Sequence, residues 1–239
     1  MIQLHIKTLE KKLEQLGNEF YQIVHYNELV DCIPKSTLTR DEINSLDSLF
    51  KIFKVASTKN ETLNEKEYLL MMWITLGSLT ECIMQLFLKV FYSDYKNNII
   101  EKLEEVNSVN RIKLKEEINE IINEHYNKDP NNKGLKKSRE NLKKELKNII
   151  DKKFKEKNIE TLTLGVLNDF YKKHVWSSDD IQDHYSTIDF IRKNRNCIHS
   201  TKVTKVDNKE SLEATLKGYV KIIDSMYIRI PEVPWEDFE

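Results

Sequence analysis

The chain contains 239 residues, which suits one large domain or two small ones, because domains usually have about 100–200 residues. With only 5 glycines and 4 prolines, it has too few turn-forming residues for a β-sandwich, a barrel or a parallel sheet with many loops. We therefore expect an all-α fold. Charged residues make up 32% and hydrophobic residues 39% of the chain, a composition that excludes an intrinsically disordered protein.

The sequence lacks the usual features of secreted and membrane proteins. Its three cysteines lie far apart without a CxxC pair, so neither a disulfide framework nor a zinc site is expected. The first residues lack the basic, apolar and small-residue segments of a signal peptide. Residues 69–91 are the most apolar stretch, but Glu81, Gln85 and Lys89 interrupt it before the roughly 20 apolar residues that a membrane span requires. We expect a cytoplasmic protein without a membrane partner, in which this stretch is a buried central helix.

Three amphipathic helices are predicted in the N-terminal part of the chain, because apolar residues recur there at intervals of three and four. Thr39 is a suitable N-cap for the second helix. Thr62 and Glu65 have the spacing of a capping box at the start of the third. The three predicted helices span residues 2–30, 39–57 and 62–90. Residues 1–57 are expected to form an N-terminal helical extension of the core.

Residues 96–160 differ from the rest of the chain in their charge. Of these 65 residues 30 are charged, and the turn signal DPNNKG at residues 129–134 divides them. We predict a charged helical hairpin that is inserted into a single domain of residues 1–239. Residues 133–157 carry 11 basic and 4 acidic side chains, an excess that attracts polyanions, although such a run also suits a solvated helix face. The basic side chains expected to contact RNA are Lys136, Lys137, Arg139, Lys143, Lys144 and Lys147.

Three further helices are predicted after the hairpin, at residues 161–176, 179–200 and 208–228. Ser177 and Ser178 are expected to cap the second of these helices. At about 100° per residue, seven of its side chains fall within an arc of about 100°. These seven are Ile181, Tyr185, Ile188, Arg192, Arg195, Asn196 and His199. The pattern places a second apolar stripe, with Phe190, Ile191 and Ile198, on the opposite face. One face would then be buried, and the other, with both arginines and the histidine, would be offered to a partner.

The arginines and the histidine of this helix have the chemistry that cleavage of a phosphodiester needs. Guanidinium groups make two-point contacts with phosphate oxygens and stabilise the charge that develops on them. A neutral imidazole can move a proton near neutral pH. RNA supplies its own nucleophile, the 2′-hydroxyl, so neither a metal nor another cofactor is expected, and the sequence has no HExxH motif or DxD-type ligand run. A solvated basic face at a helix C-terminus gives the same pattern.

The segment IRKNRNCIHS, at residues 191–200, resembles the HEPN superfamily of helical nucleases and nucleic-acid-associated proteins. The LTLGVL helix before it, the amphipathic helix after it and the upstream stretch WITLGSLTECIMQLFL add to the resemblance. The superfamily signature is an arginine separated by four to six residues from a histidine, and six residues separate Arg192 from His199. Arg195 and Asn196 reproduce the RN dipeptide common in this family, but only three residues separate Arg195 from His199. Either arginine is thus a candidate for the family's role.

The resemblance covers less than half of the chain and implies a helical bundle of HEPN type. It implies a metal-independent endoribonuclease that cuts RNA through attack by the 2′-hydroxyl, often in toxin–antitoxin or abortive-infection defence against viruses. In such enzymes the arginine and the histidine of two protomers meet across a homodimer interface. Here His199 would act as general base or acid, Arg192 and Arg195 would stabilise the transition state, and Asn196 would orient the histidine or a phosphate.

Two further side chains are expected to support this site. Glu81 lies among apolar residues of the central helix, where an unpaired buried carboxylate is costly. Either a partner, such as an arginine of the motif, or an exposed edge of the helix would account for it. Tyr185 shares the face that carries the arginines. His174 and His184 are interpreted as surface residues near helix ends.

Two other functions fit the sequence. A catalytically inactive HEPN-like module would bind an antitoxin, a nucleotidyltransferase-type partner or RNA without cutting it. Such a module would tolerate the replacement of His199, whereas a nuclease would lose nearly all turnover. A DNA-binding regulator is the third hypothesis, although the sequence has no obvious helix–turn–helix signal.

Overall fold

The computed structural model describes residues 2–29, 37–58, 63–126, 138, 140–146, 148, 159–177, 179–197 and 208–231. Over these residues the secondary structure is helical and contains no strand, so the predicted all-α class is confirmed. The α-helices are α1 (Ile2–Leu29), α2 (Arg40–Ser57), α3 (Glu65–Val90), α4 (Tyr92–Tyr126), α5 (Leu164–His174), α6 (Ile181–Asn196) and α7 (Lys209–Tyr227). A short 3₁₀ helix, Ile159–Thr161, precedes α5.

The chain divides into two compact units. The first consists of Met1–Tyr95 and Thr163–Glu239, and the second consists of Lys96–Leu162. The second unit has almost the same bounds as the charged insertion predicted at residues 96–160, and most of α4 belongs to it. The predicted turn at residues 129–134 lies outside the described residues. The N-terminal helices belong to the first unit, where α1 packs against α2 and α7, and α2 packs against α3.

The core of the first unit is built around α3. Its side chains Trp73, Leu76 and Leu79 are fully buried, and α2, α5, α6 and α7 all pack against it. Among the described helices, α3 is the one whose length and hydropathy would suit a membrane span, but 56% of its apolar window is buried inside the protein. The interpretation of this stretch as a buried central helix is thus confirmed.

The helices begin at polar residues, although not always at the residue that the sequence indicates. As predicted, α2 begins after Thr39, whose N–H donates to Glu42 Oε2 at 2.9 Å. α3 begins after Asn64, where Asn64 Oδ1 accepts from the Glu67 N–H and Glu67 Oε2 accepts from the Asn64 N–H, both at 3.0 Å. The predicted box at Thr62 is two residues too early. The same polar-x-x-Glu spacing occurs twice in this segment, and the helix begins at the second copy.

α6 begins at Ile181, with Asp180 as its N-cap, whose side chain makes no capping hydrogen bond. Ser177 contributes its backbone carbonyl, which accepts from the N–H groups of Asp180 and Ile181 at 3.3 and 3.1 Å. Ser178, the other predicted cap, lies outside the described residues. A backbone turn, and not the predicted Ser177 hydroxyl, therefore leads into α6.

α6 packs against α3, α5 and α7, and a glycine lies at each of the three contacts. A Cβ atom added to Gly77 of α3 would lie 2.5 Å from Cδ of Arg195, and one added to Gly165 of α5 would lie 3.2 Å from Cδ of Arg192. A Cβ atom added to Gly218 of α7 would lie 2.9 Å from a threonine hydroxyl of α6. Because these positions have no side chain, the neighbouring helices can approach α6 closely. Both arginine stems therefore lie directly on a neighbouring helix.

This packing buries more of α6 than its sequence pattern predicts. The pattern places Ile188 and Ile191 on opposite faces, yet both are fully buried. That prediction is wrong because three residues turn a helix by about 300°, which leaves the two side chains only about 60° apart. Phe190, on the same side as Ile191, packs edge-on against Trp73 with 5.6 Å between the ring centres. Only a narrow face of α6 remains open to solvent.

Candidate functional site

Arg195 of α6 forms an ion pair with Glu81 of α3. The distance from Arg195 Nη1 to Glu81 Oε2 is 2.6 Å, and about a quarter of each side chain is exposed. Glu81 Oε2 also accepts a hydrogen bond of 2.9 Å from the backbone N–H of Leu164, the first residue of α5. One carboxylate therefore connects three helices, and the expectation that Glu81 pairs with an arginine of the motif is confirmed.

The methylene chain of Arg195 also packs against α3, as its guanidinium group does. Its Cβ, Cγ and Cδ atoms all lie over Gly77, at 3.0, 3.0 and 2.5 Å from the position of an added Cβ atom. Gly77 lies one helical turn before Glu81 on α3, so the same helix that pairs with the guanidinium also contacts the methylene chain. Arg195 is consequently fixed at both ends against α3.

Arg192 is held within its own helix by Asp189. Arg192 Nε and Nη2 donate to Asp189 Oδ1 at 3.0 and 2.7 Å, and Lys193 Nζ lies 2.7 Å from Asp189 Oδ2. Partial burial raises the pKa of Asp189, but hydrogen bonds from Lys193 and Arg192 outweigh this effect, so that the pKa lies below its usual value. Asp189 is thus ionised at neutral pH. The side chain of Arg192 is 36% exposed, more than that of Arg195.

Both arginines contact the first turn of α5. Arg195 reaches Leu164 through Glu81, and the stem of Arg192 lies on Gly165, the next residue. The first turn of a helix carries a partial positive charge from its backbone N–H groups. α5 begins at Leu164, and its N-cap Thr163 makes no side-chain capping bond. The carboxylates of Glu81 and Asp189 face the two guanidinium groups, and Glu81 also accepts from the Leu164 N–H.

Asn196 and Tyr185 have different surroundings from the arginines. Asn196 is the last residue of α6 and is exposed. The Tyr185 hydroxyl donates to Asp169 Oδ1 at 3.3 Å, and the Lys172 ammonium lies 4.3 Å from the centre of its ring. The negative charge of Asp169 raises the pKa of Tyr185. Tyr185 is therefore held along α5 by Asp169 and Lys172. Its supporting role in the site stays a prediction.

Several predicted site residues lie outside the described part of the chain. His199 is two residues beyond the end of the described segment at Cys197. Four of the predicted RNA-binding residues also lie outside it, namely Lys136, Lys137, Arg139 and Lys147. Lys143 and Lys144 belong to a described helical stretch at residues 140–146, where Lys143 is half-buried and Lys144 is exposed. Their proposed contact with RNA stays a prediction.

Asp189 is a site residue that sequence reasoning missed. It precedes Arg192 by three residues and Lys193 by four, which is the usual spacing of ion pairs within a helix. That signal was readable from the sequence. Gly77 and Gly165 were harder to recognise as parts of the site. A glycine inside a helix predicts close packing, but it does not show which residue packs against it.

His184 differs from its interpretation as a surface residue. Only 4% of it is exposed, and its ring packs edge-on against Trp176 with 4.8 Å between centres. Burial lowers the pKa of His184, and Arg229 and Lys221 add to this effect, while the negative charges of Asp180 and Asp183 oppose it. The interpretation is wrong because Trp176 and the first turn of α6 enclose the ring. His184 is a core residue, and its buried surroundings favour the neutral imidazole.

Among the residues that the structure describes, no group of three or more histidine, cysteine, aspartate or glutamate side chains is arranged to hold a metal ion. Comparisons of the chain with protein-family models, with curated proteins and with solved structures gave no match. The function of the arginine cluster must therefore be inferred from its own geometry and chemistry.

Proposed function

We propose that the protein is a metal-independent endoribonuclease that acts in the cytoplasm. The observation that carries this proposal is that Arg192, through its stem, and Arg195, through Glu81, both contact the first turn of α5, just before the segment that contains His199. A phosphate is the anion that such a cluster suits, because guanidinium groups and helix N-termini both bind phosphate oxygens. The resemblance of residues 191–200 to the HEPN motif supports the same function.

The two arginines have different roles in this proposal. Arg195 is fixed against Gly77 and Glu81, so it maintains the junction of α3, α5 and α6. Arg192 is more exposed, and its guanidinium group pairs with Asp189 of its own helix. Its spacing from His199 also fits the HEPN signature, which that of Arg195 does not. Arg192 is therefore assigned to the scissile phosphate and Arg195 to the support of the site.

The proposed reaction is an in-line transesterification. The 2′-oxygen of the RNA forms a bond to the adjacent phosphorus, the bond from phosphorus to the 5′-oxygen of the next nucleotide breaks, and a 2′,3′-cyclic phosphate results. His199 removes the proton of the 2′-hydroxyl or supplies a proton to the leaving 5′-oxygen. Arg192 stabilises the negative charge on the phosphate oxygens in the transition state. Asn196 orients the histidine or a phosphate from the end of α6.

Partners are proposed on the same basis. A homodimer would let the arginine of one protomer act with the histidine of the other, as the HEPN resemblance implies. A neutralising antitoxin or another defence protein would keep such a ribonuclease inactive until it is needed. The basic side chains of residues 133–157 would add affinity for the RNA backbone.

One observation favours a second candidate function, an inactive module that binds RNA or a partner protein. Both guanidinium groups already face a carboxylate, Asp189 for Arg192 and Glu81 for Arg195. An arginine neutralised in this way can hold a surface together without taking part in chemistry. The two functions differ in whether His199 is needed, so the same experiment separates them.

The test is cleavage of total RNA and transfer RNA in EDTA by the purified wild type and by His199→Ala and Arg192→Ala. We expect wild type to leave 2′,3′-cyclic phosphate ends, and both variants to lose at least about a hundredfold in rate, since each removes a group that acts only in the transition state. Lys173→Ala is the matched control, because Lys173 is an exposed lysine in the last turn of α5, at the opposite end from the turn that contacts the arginines. Equal cutting by wild type and His199→Ala would overturn the proposal. No cutting by either, with retained RNA binding, would favour the inactive module.

A further inference from the structure

Asp189 occupies one edge of the Arg192 guanidinium, and within the described part of the chain no hydrogen bond reaches the opposite edge. Its Oδ1 atom accepts from both Nε and Nη2 of Arg192, at 3.0 and 2.7 Å. These two nitrogens form one side of the planar, five-donor guanidinium fork. The opposite side, which includes Nη1, faces away from Asp189. The direction of that open side is set by the carboxylate.

The stem of Arg192 is also restrained. Its Cδ atom lies against Gly165 at the start of α5, 3.2 Å from where a Cβ atom would be placed there. α5 thus limits the position of the methylene chain, and Asp189 limits the rotation of the head group. Asp189 is itself held on its other oxygen by Lys193 Nζ at 2.7 Å. Arg192 is therefore an oriented hydrogen-bond donor, and its Nη1 edge faces away from the Asp189 carboxylate.

We propose that Asp189 is the positioning residue of the ribonuclease site, which it serves by directing the free Nη edge of Arg192 toward the scissile phosphate. The inference rests on the proposed function. Charge that develops in a transition state is stabilised best by hydrogen-bond donors that are already oriented toward the atoms on which it develops. A displacement of such a group by about 1 Å can lower the rate roughly a hundredfold. An ion pair between residues three or four apart stabilises its own helix only slightly. The main effect of Asp189 is therefore on turnover.

The charge of Asp189 is expected to affect RNA binding in the opposite direction from its effect on turnover. The Asp189 carboxylate repels the RNA phosphates that Arg192 attracts, so its removal should strengthen binding while it weakens turnover. Damage to the fold would weaken both. The direction of the two changes therefore separates a positioning role from a structural one.

The experiment compares wild type with Asp189→Asn, Asp189→Glu and Asp47→Asn. Asp47 on α2 is the matched control, since its carboxylate also pairs with a cation one turn away on its own helix, Lys51 Nζ at 2.6 Å, but this helix carries no predicted site residue. We expect Asp189→Asn to lower kcat at least about tenfold and to leave KM unchanged or lower it. Asp189→Glu, which keeps the carboxylate, should restore most of kcat. Asp47→Asn should leave kcat within about twofold of wild type.

A second measurement reports on Arg192 without the need for activity. The chain has only six arginines, so the Nε and Nη resonances of Arg192 can be assigned with an Arg192→Lys variant. We expect slow rotation about the Cζ–Nε bond of Arg192 in wild type and fast rotation in Asp189→Asn. Fast rotation in wild type would overturn the inference, whether or not the protein cuts RNA.

The outcomes also separate this inference from the proposed function. Cleavage by wild type with an unchanged kcat in Asp189→Asn would overturn the positioning role and leave the ribonuclease intact. The absence of cleavage by wild type would overturn the ribonuclease, and with it the positioning of a reacting phosphate, even if the resonances show that Asp189 holds Arg192. A parallel fall of kcat and thermal stability in Asp189→Asn would identify a structural role and overturn the inference.

Discussion

Glu42 and Glu81 make the same two kinds of contact, a hydrogen bond from a backbone N–H at the start of a helix and an ion pair with a basic side chain. Glu42 accepts a backbone N–H at the start of α2 and pairs with Lys89 of α3. Glu81 accepts a backbone N–H at the start of α5 and pairs with Arg195 of α6. Each carboxylate thus stabilises the start of one helix and connects two helices through a cation.

The two pairs differ in burial and in the cation. The side chain of Lys89 is 8% exposed, whereas that of Arg195 is 27% exposed. Lysine presents a compact charge, while arginine has a planar group with donors on several edges. The two carboxylates thus make similar contacts, but the cation of the first pair is enclosed, whereas that of the second stays partly open to solvent.

The largest expected effect is on the enclosed pair. Glu42→Gln removes the carboxylate that faces the buried ammonium of Lys89, and should cost about 3 kcal/mol in the free energy of unfolding. Glu81→Gln should cost only about 1 kcal/mol, because water reaches both partners of that pair. Urea denaturation of both variants measures the difference. Equal losses would show that burial does not distinguish the two pairs.

A smaller effect is expected at the glycines. Gly77→Ala places a methyl group 2.5 Å from Cδ of Arg195, so the arginine stem must shift, and a net loss of about 1 kcal/mol is expected from overpacking. Gly17 of α1 is the matched control, because an added Cβ there has no other atom within 4 Å. Gly17→Ala should instead stabilise the protein by about 0.5–1 kcal/mol through helix propensity. Thermal unfolding measures both changes, and a stabilising Gly77→Ala would contradict the fixed position of Arg195.

The smallest expected effect is the pH dependence from His184. Its folded pKa is lowered, chiefly by burial, from the ordinary value of 6.5. The folded state therefore binds its proton less readily than the unfolded state, so this contribution to stability is complete above pH 6.5 and is lost as the pH falls from 6.5 toward the folded pKa. We expect wild type to lose more stability than His184→Phe between about pH 7.5 and 5.5, where most carboxylates stay ionised. Identical pH profiles in urea denaturation would contradict this assignment.

The helices could be predicted from the sequence because their signals are local. The bounds of α1, α2 and α7 agree with the three- and four-residue period and with polar caps such as Thr39 and Asn208. The cap of α3 was misplaced because two segments with the same spacing overlap, and local sequence does not rank them. The burial of both Ile188 and Ile191 differs from the prediction because the two positions lie only about 60° apart around the helix, so a single buried face includes both.

The candidate site was predictable only in part. The sequence placed Arg192 and Arg195 on one helix and indicated that Glu81 needs a partner. It could not say which arginine pairs with Glu81, since Glu81 and Arg195 lie 114 positions apart in the chain. It also gave no sign that Gly77 and Gly165 lie under the two arginine stems.

The sequence by itself determined the all-α class, the charged segment near residues 96–160 and the helix that carries both arginines. These properties follow from composition, from the helical period and from contacts between residues three or four apart. Only the folded chain shows that α6 is enclosed by α3, α5 and α7, that Arg195 pairs with Glu81, and that 36% of the Arg192 side chain stays exposed. Those properties depend on contacts between distant segments, which form only when burial of apolar surface brings the helices together.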